Sequence, residues 1–339
     1  MKLLIITQKV DENDQLLGFF IGWLSEFSKH FEVVNILCLE KGAYSLPSNV
    51  KVFSLGKDRG EEKVVQLFNF YKHIMTLDYD SVLVHMNPIW MVLGGICWRI
   101  MGKKAALWYT HKAVTARLKV ALLFSQIVFT ASAESFRIKS PKVLVTGHGI
   151  DVESFKPDGS KKINDGKLRI LSVGRIAPVK NYETLIYAAK ILKDKSFNFE
   201  IVIIGEPALS QDIDYANKLR RLIKDNGLGQ YFVFLGKVDN RRLPEYYQSN
   251  DLFIHLSKTG SLDKTILEAM ACGMQVLSSN DAARAFLGVD KLFKEDDSKE
   301  LSEKILSLPA VPANHSTVDY VLNNHSLSNL VNRVSLLLR

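Results

Sequence analysis

LRILSVGRIAPVK, residues 168–180, decides how this chain is read. Its apolar run of Leu168, Ile170, Leu171 and Val173 stops at Gly174. Arg175 follows at once, Lys180 comes five residues later, and a helical pattern begins at Asn181. That order describes a strand, a tight turn carrying two cations, and a helix. In open α/β sheets ligands bind beyond the carboxyl ends of the strands. Two cations there, beside a helix N-terminus, suit a diphosphate. A second stretch, TGSLDKTILEAMACG at 259–273, reads as another loop feeding another helix.

The same alternation extends outward from 168–180. Before it, Leu3–Thr7, Glu32–Leu39, Val50–Leu55, Ser81–His85, Ala105–Tyr109, Ile127–Thr130 and Val143–Thr146 read as strands. Gly18–His30, Glu61–Met75 and Ala113–Phe124 read as helices, the last with Val114, Leu118, Ala121 and Leu122 on one face. After it, strands are expected at Phe199–Ile204, Phe232–Leu235, Leu252–Leu256 and Gln275–Ser278. Helices are expected at Tyr182–Lys193, Tyr215–Asn226, Leu243–Gln248 and Asp263–Cys272. Leu327–Leu338 is amphipathic, with Ser326 as its N-cap. Strands alternating with helices predict parallel sheets covered on both faces. A polar break from Gly147 to Gly166 reads as a linker. The expected division is an N-terminal domain over 1–150, a second domain over 151–325, and a C-terminal helix over 326–339 that packs back on the first.

Composition agrees with a two-domain globular protein: 339 residues, 47% hydrophobic and 24% charged. Met1-Lys2 runs straight into Leu3–Ile6, too short for a secretory core. The longest apolar run, Pro88–Trp98, stops at Arg99, short of the roughly 20 residues a membrane span needs. Cys38, Cys97 and Cys272 show no metal spacing and fit a reducing cytoplasm. The net charge of +8 is uneven: residues 94–142 hold nine Lys or Arg against one acid, Glu134. This tract is either a solvated basic face or an attraction for anions, including the anionic lipids of a membrane. No nucleic-acid-binding motif accompanies the charge.

GRIAPVKNYETLIYAAKIL at 174–192 resembles the GR-x4-K segment of family 4 glycosyltransferases, enzymes of the GT-B fold. FVFLGKVDNRRLPEYYQSNDLFIHLSKTGSLDKTILEAMACGMQVLSS, at 232–279, resembles the rest of that family's donor domain. VLVTGHGIDVESFKP, at 143–157, resembles its interdomain NG-x-D-x3-F-x-P segment. The likeness is strongest over 143–280 and weak over 1–100.

The resemblance implies two Rossmann-like domains facing a cleft. It implies transfer of a sugar from a nucleotide diphosphate, with UDP the expected carrier, to a saccharide or lipid-linked acceptor. Retention of anomeric configuration and no required metal or other cofactor are also implied. Arg175 and Lys180 should hold the diphosphate, whose charge grows as the glycosidic bond breaks. Glu268 matches the second glutamate of the family's E-x7-E motif, which contacts the ribose. The first would stand at 260, where this chain has Gly260. Asp263 and Lys264, or the amides of Gly260, Ser261 and Leu262, are the replacements to consider. Asp263 is equally read as a helix N-cap.

In the first half, His111 follows the strand ending in LWYT and resembles the family's cleft histidine, which the resemblance places near the reacting centre. His85 stands at a similar strand end and is read as core or cleft-lining. Gly18 is the candidate for the loop glycine against the phosphate, and Gly236 for close approach to the base. Asp11, Asp14 and Arg137 are candidates for acceptor binding, with Ser132, Glu134 and Arg137 resembling an S-x-x-x-R segment. Other outcomes remain open on the same fold: a non-catalytic nucleotide-sugar-binding module, or a sugar-nucleotide epimerase or hydrolase. The expected location is cytoplasmic, at the inner membrane face if the basic tract meets lipid.

Overall fold

The computed structural model describes residues 1–14, 16–258, 262–308 and 315–339. It divides into two units. One is Met1–Asp151 with Asn324–Arg339, the other Val152–Asn323.

The first unit is built from β1 (Lys2–Val10), α1 (Phe20–Ser28), β2 (Val33–Lys41), β3 (Val50–Ser54), α2 (Lys63–Thr76), β4 (Ser81–His85), α3 (Pro88–Ile100), β5 (Lys104–Trp108), α4 (Ala116–Phe124), β6 (Ile127–Thr130) and β7 (Val143–Val145). The second holds β8 (Leu168–Val173), α5 (Tyr182–Asp194), β9 (Phe199–Ile204), α6 (Ser210–Asp225), β10 (Phe232–Gly236), α7 (Leu243–Ser249), β11 (Leu252–His255), α8 (Lys264–Ala271), β12 (Gln275–Ser278), α9 (Arg284–Leu287), α10 (Ser298–Leu306) and most of α11 (His315–His325). The chain then returns to the first unit as α12 (Leu327–Leu338).

Both sheets are parallel, ordered β3-β2-β1-β4-β5-β6-β7 and β10-β9-β8-β11-β12. Strands covered on both faces read as continuous apolar runs, and Leu3–Ile6 in β1 is wholly buried. On one face of the first sheet lie α1 and α12. Phe20, Trp23, Leu24 and Phe27 recur at helical spacing and meet Leu327, Leu330, Val331, Val334 and Leu338. On the other lie α2, α3 and α4, inserting Phe70, Ile74, Trp90, Met91, Trp98, Leu118 and Ala121.

The return of α12 is fixed by polar contacts as well as packing. Ile150 N donates to His325 O at 2.7 Å, and Leu327 N to Ile150 O at 2.8 Å. Ser326 Oγ caps the helix by accepting from Asn329 N at 3.5 Å. Each of the five buried apolar side chains of α12 contributes about 2 kcal/mol of transfer free energy.

Several elements depart from the sequence reading. Pro88–Trp98, read there only as an apolar run, lies in helix α3, which continues to Ile100 and has Pro88 in its first turn where a missing N–H costs nothing. Helix α4 starts at Ala116, so Val114 precedes it and is exposed. Helix α6 begins at Ser210, one and a half turns before Tyr215. Helix α5, by contrast, begins at Tyr182 as expected, after Asn181 adopts a left-handed conformation (φ 50°) that follows a 3₁₀ turn at Pro178–Lys180.

Candidate active site

The strand order of each sheet reverses once, between β1 and β4 and between β8 and β11. At such a switch point neighbouring loops leave in opposite directions and open a crevice at the carboxyl ends. In the second unit the loop after β8 carries Arg175 and Lys180, and the loop after β11 carries Asp263. The two loops touch: Lys258 N donates to Val179 O at 3.1 Å.

Lys180 Nζ lies 2.6 Å from Asp263 Oδ2, and the same oxygen is 2.7 Å from His255 Nε2. His255 closes β11 and is buried. Desolvation lowers its pKa, so the neutral ring is favoured despite the adjacent carboxylate. Asp263 is held well below the usual carboxylate range: burial opposes this, but His255 and Lys180 outweigh it. Asp263 occupies the N-cap position of α8, yet its side chain makes no capping hydrogen bond. The capping role expected of it is absent because His255 and Lys180 take the carboxylate.

Arg175 is half-buried just past β8 and makes no hydrogen bond or ion pair among the described residues. Its turn is braced by Tyr182, whose hydroxyl donates to Gly174 O at 3.1 Å. Glu268 is buried on α8. Tyr247 Oη donates to its Oε2 at 3.0 Å, and Lys264 Nζ stands 3.4 Å from its Oε1. Burial and the Glu268 charge push the Tyr247 phenol far up, keeping it a donor. Leu262 is buried. Gly260 and Ser261 lie outside the described residues.

Gly236 ends β10 at φ 68°, with open space where a Cβ would stand, and its carbonyl accepts from Gly205 N at 2.8 Å. In the first unit His111 is exposed in the turn after β5, with Nδ1 accepting from Ala113 N at 3.0 Å. Gly18 is tied into its own loop, donating to Asp14 O at 2.9 Å. Asp11 and Asp14 pair with Lys9 at 3.3 and 2.9 Å, and Asp14 also accepts from Leu16 N and Leu17 N. Those carboxylates therefore organise the β1–α1 loop. Arg137 and Glu134 are exposed, and Ser132 Oγ bonds Ser135 Oγ at 2.9 Å. His85 is a core residue, stacked on Phe20 at 4.0 Å and bonded to Thr7, its pKa lowered to about 3 by burial.

His255 and Tyr247 were missed from sequence. The signal for His255 was present, since an apolar strand ends in histidine there as it does at His85. No group of three or more His, Cys, Asp or Glu suited to a metal ion occurs among the described residues. The groups able to meet an anionic ligand are Arg175, Lys180 and Lys264.

The paired parallel sheets are those of the GT-B glycosyltransferase fold. HepE of Anabaena, solved with UDP, superposes with a TM-score of 0.80 at 19% identity, covering 100% of this chain and 99% of that one. Sucrose-phosphate synthase of Thermosynechococcus elongatus gives 0.78 at 14% identity, covering 99% and 98%. Residues 155–314 match the family model "Glycosyl transferases group 1". An uncharacterised glycosyltransferase of Methanocaldococcus jannaschii is 25% identical over 207 residues, 58% of this chain and 51% of that one. The amylovoran biosynthesis glycosyltransferase of Erwinia amylovora is 28% identical over 210 residues, 54% and 48%. The matches thus span about half the length of these curated relatives.

Proposed function

We propose that this protein is a retaining glycosyltransferase that takes a sugar from a nucleotide diphosphate, UDP by preference, and passes it to a saccharide or lipid-linked acceptor. The observation that carries the reading is that the β8–α5 loop, at the β8/β11 switch point, carries Lys180 held by Asp263 and an Arg175 that makes no hydrogen bond or ion pair among the described residues. The uridine carrier is supported by HepE, solved with UDP and with UDP-glucose.

In this mechanism Arg175 forks onto phosphate oxygens and Lys180 adds a point charge. Both stabilise the charge that builds on the departing diphosphate, more in the transition state than before it. The amides at the start of α8 face the same group, and no metal is assigned. Glu268 accepts from the ribose hydroxyls. His111 is assigned to support of the reacting sugar. The acceptor attacks from the face the diphosphate leaves, so retention requires positioning rather than a covalent carboxylate.

The acceptor side of the reading is supported by the outer face of α2, α3 and α4. These helices hold Lys63, Lys72, Arg99, Arg117 and Lys119 and no acid. Val64, Phe68, Ile96, Ile100 and Leu123 are exposed on them. A cavity of about 360 Å³ at the amino ends of β5, β6 and β7, away from their carboxyl ends, adds Trp98, Arg99, Lys103, Leu123 and Lys142 to the basic and apolar surface. Apolar and basic groups without acids suit an anionic bilayer, and a peripheral position beside a lipid-linked acceptor on the cytoplasmic face. The surface reaches beyond residues 94–142 to include α2. No helix among the described residues is long and apolar enough to cross a membrane.

The test is product analysis by mass spectrometry with UDP-sugars and saccharide or lipid-linked acceptors. Acceptor-dependent product is expected, reduced at least about 100-fold by Arg175→Ala with an unchanged melting curve. UDP release without acceptor would indicate a hydrolase, and binding without turnover a binding module. Near-wild-type turnover by Arg175→Ala would remove the assigned phosphate role.

A further inference from the structure

We propose that His255 is a positioning residue for the diphosphate, acting through Asp263 on Lys180; this rests on the donor reading above. The hydrogen-bond chain fixes the histidine tautomer. Ser278 lies beside His255 in the β11–β12 register. Its Oγ accepts from Asn280 N at 3.0 Å and sits 3.3 Å from His255 Nδ1. The Asp263 carboxylate can only accept, so the ring nitrogen facing it must carry the proton, and Nδ1 is left to accept from the Ser278 hydroxyl. The proton of the neutral ring therefore resides on Nε2 and points at Asp263 Oδ2, 2.7 Å away.

Asp263 thus receives one bond from the end of a buried strand and one from the long side chain of Lys180. The first anchors the carboxylate, and the anchored carboxylate sets the ammonium of Lys180. That ammonium keeps two further N–H groups for phosphate oxygens. The lysine stem is also confined, because Cε lies 3.1 Å from where a Cβ on Gly174 would stand. Residue 174 must be small for the stem to pass. Holding the cation before the ligand arrives lowers the ordering cost of binding. A purely structural tie between the two loops would use the same bonds. It would affect every ligand of the site equally, whereas a positioned Lys180 affects only ligands that carry the diphosphate.

The experiment measures the affinities of the full chain for UDP and for uridine. The variants are His255→Leu, which keeps bulk without a donor, and His255→Gln, whose amide N–H replaces Nε2–H. Expected is a loss of about tenfold in UDP affinity for His255→Leu, unchanged uridine affinity, and recovery to within about threefold in His255→Gln. Ser278→Ala, which removes the hydroxyl that holds the ring through Nδ1 together with the acceptor of Asn280 N, covers the case in which His255→Leu does not fold, and is expected to weaken UDP alone. Wild-type UDP affinity in the Leu or Ala variant, or equal losses for UDP and uridine, would overturn the positioning role while leaving the donor reading intact. Failure of the wild-type chain to bind UDP would overturn both.

Discussion

Gly205→Ala joins fold to site in one substitution. Gly205 follows β9 at φ 135°, a region that alanine avoids. A Cβ there would lie 2.1 Å from Gly174 O, 2.7 Å from Gly174 C and 3.3 Å from Arg175 N. Carbon and carbonyl oxygen in close contact sit about 3.3–3.6 Å apart, so the Gly174 peptide must retreat by about 1 Å or more. That peptide accepts from the Tyr182 hydroxyl and carries Arg175. The backbone term is about 1–3 kcal/mol, and overpacking adds about 1–3 kcal/mol. A central total of about 4 kcal/mol lowers the melting temperature of a unit of this size by about 8–16 °C.

The four tryptophans, Trp23, Trp90, Trp98 and Trp108, all lie in the first unit, so their fluorescence is blind to this change. Far-UV circular dichroism reads both units. The expected result is an early loss of part of the dichroism, an unmoved tryptophan transition, and weakened UDP binding. Gly229→Ala is the control, with nothing within 4 Å of its Cβ position, and should change stability by less than about 0.5 kcal/mol. A Gly205→Ala protein that melts and binds UDP like wild type would refute the reasoning.

Three further outcomes are expected. Tyr247→Phe leaves a buried Glu268 oxygen without its donor and should cost about 1–3 kcal/mol in urea unfolding, with no change counting against that bond. Burial lowers the pKa of His85 to about 3 and of His325 to about 4, from 6.5. The unfolded chain therefore binds more protons below pH 6.5, and the stability of the first unit falls as pH drops through that window. The His325 contribution lost by pH 4 is on the order of 3 kcal/mol, and tryptophan fluorescence unfolding that is flat between pH 7 and 4 would contradict it. Binding to phosphatidylglycerol vesicles should fall between 0.05 and 0.5 M salt, both on the order of ordinary assay conditions, and weaken in Phe68→Ser; salt-independent or absent binding would exclude the bilayer surface.

Most of this architecture is legible because parallel-sheet strands announce themselves. Ser81–His85, Ile127–Thr130, Leu168–Val173, Phe199–Ile204 and Gln275–Ser278 follow from apolar runs cut by polar loops. Helix α3 was harder: an apolar stretch facing both sheet and neighbour helix loses the periodicity that marks an amphipathic helix. The start of α5 at Tyr182 was legible, but the left-handed conformation of Asn181 before it was not, since nothing in the local pattern of apolar residues requires it.

The loop after β8, with its glycine, arginine and lysine, was settled by the linear sequence, because strand, turn and helix are local decisions about neighbouring residues. The partner of Lys180 was settled only by the tertiary structure. Asp263 is 83 positions away along the chain, and the two meet because β11 pairs with β8. Likewise Asp263 occupies a cap position in sequence and gives its carboxylate elsewhere in space. Strand order, a property of the whole sheet, chose between two hydrogen-bonding fates that the local residues left equally open.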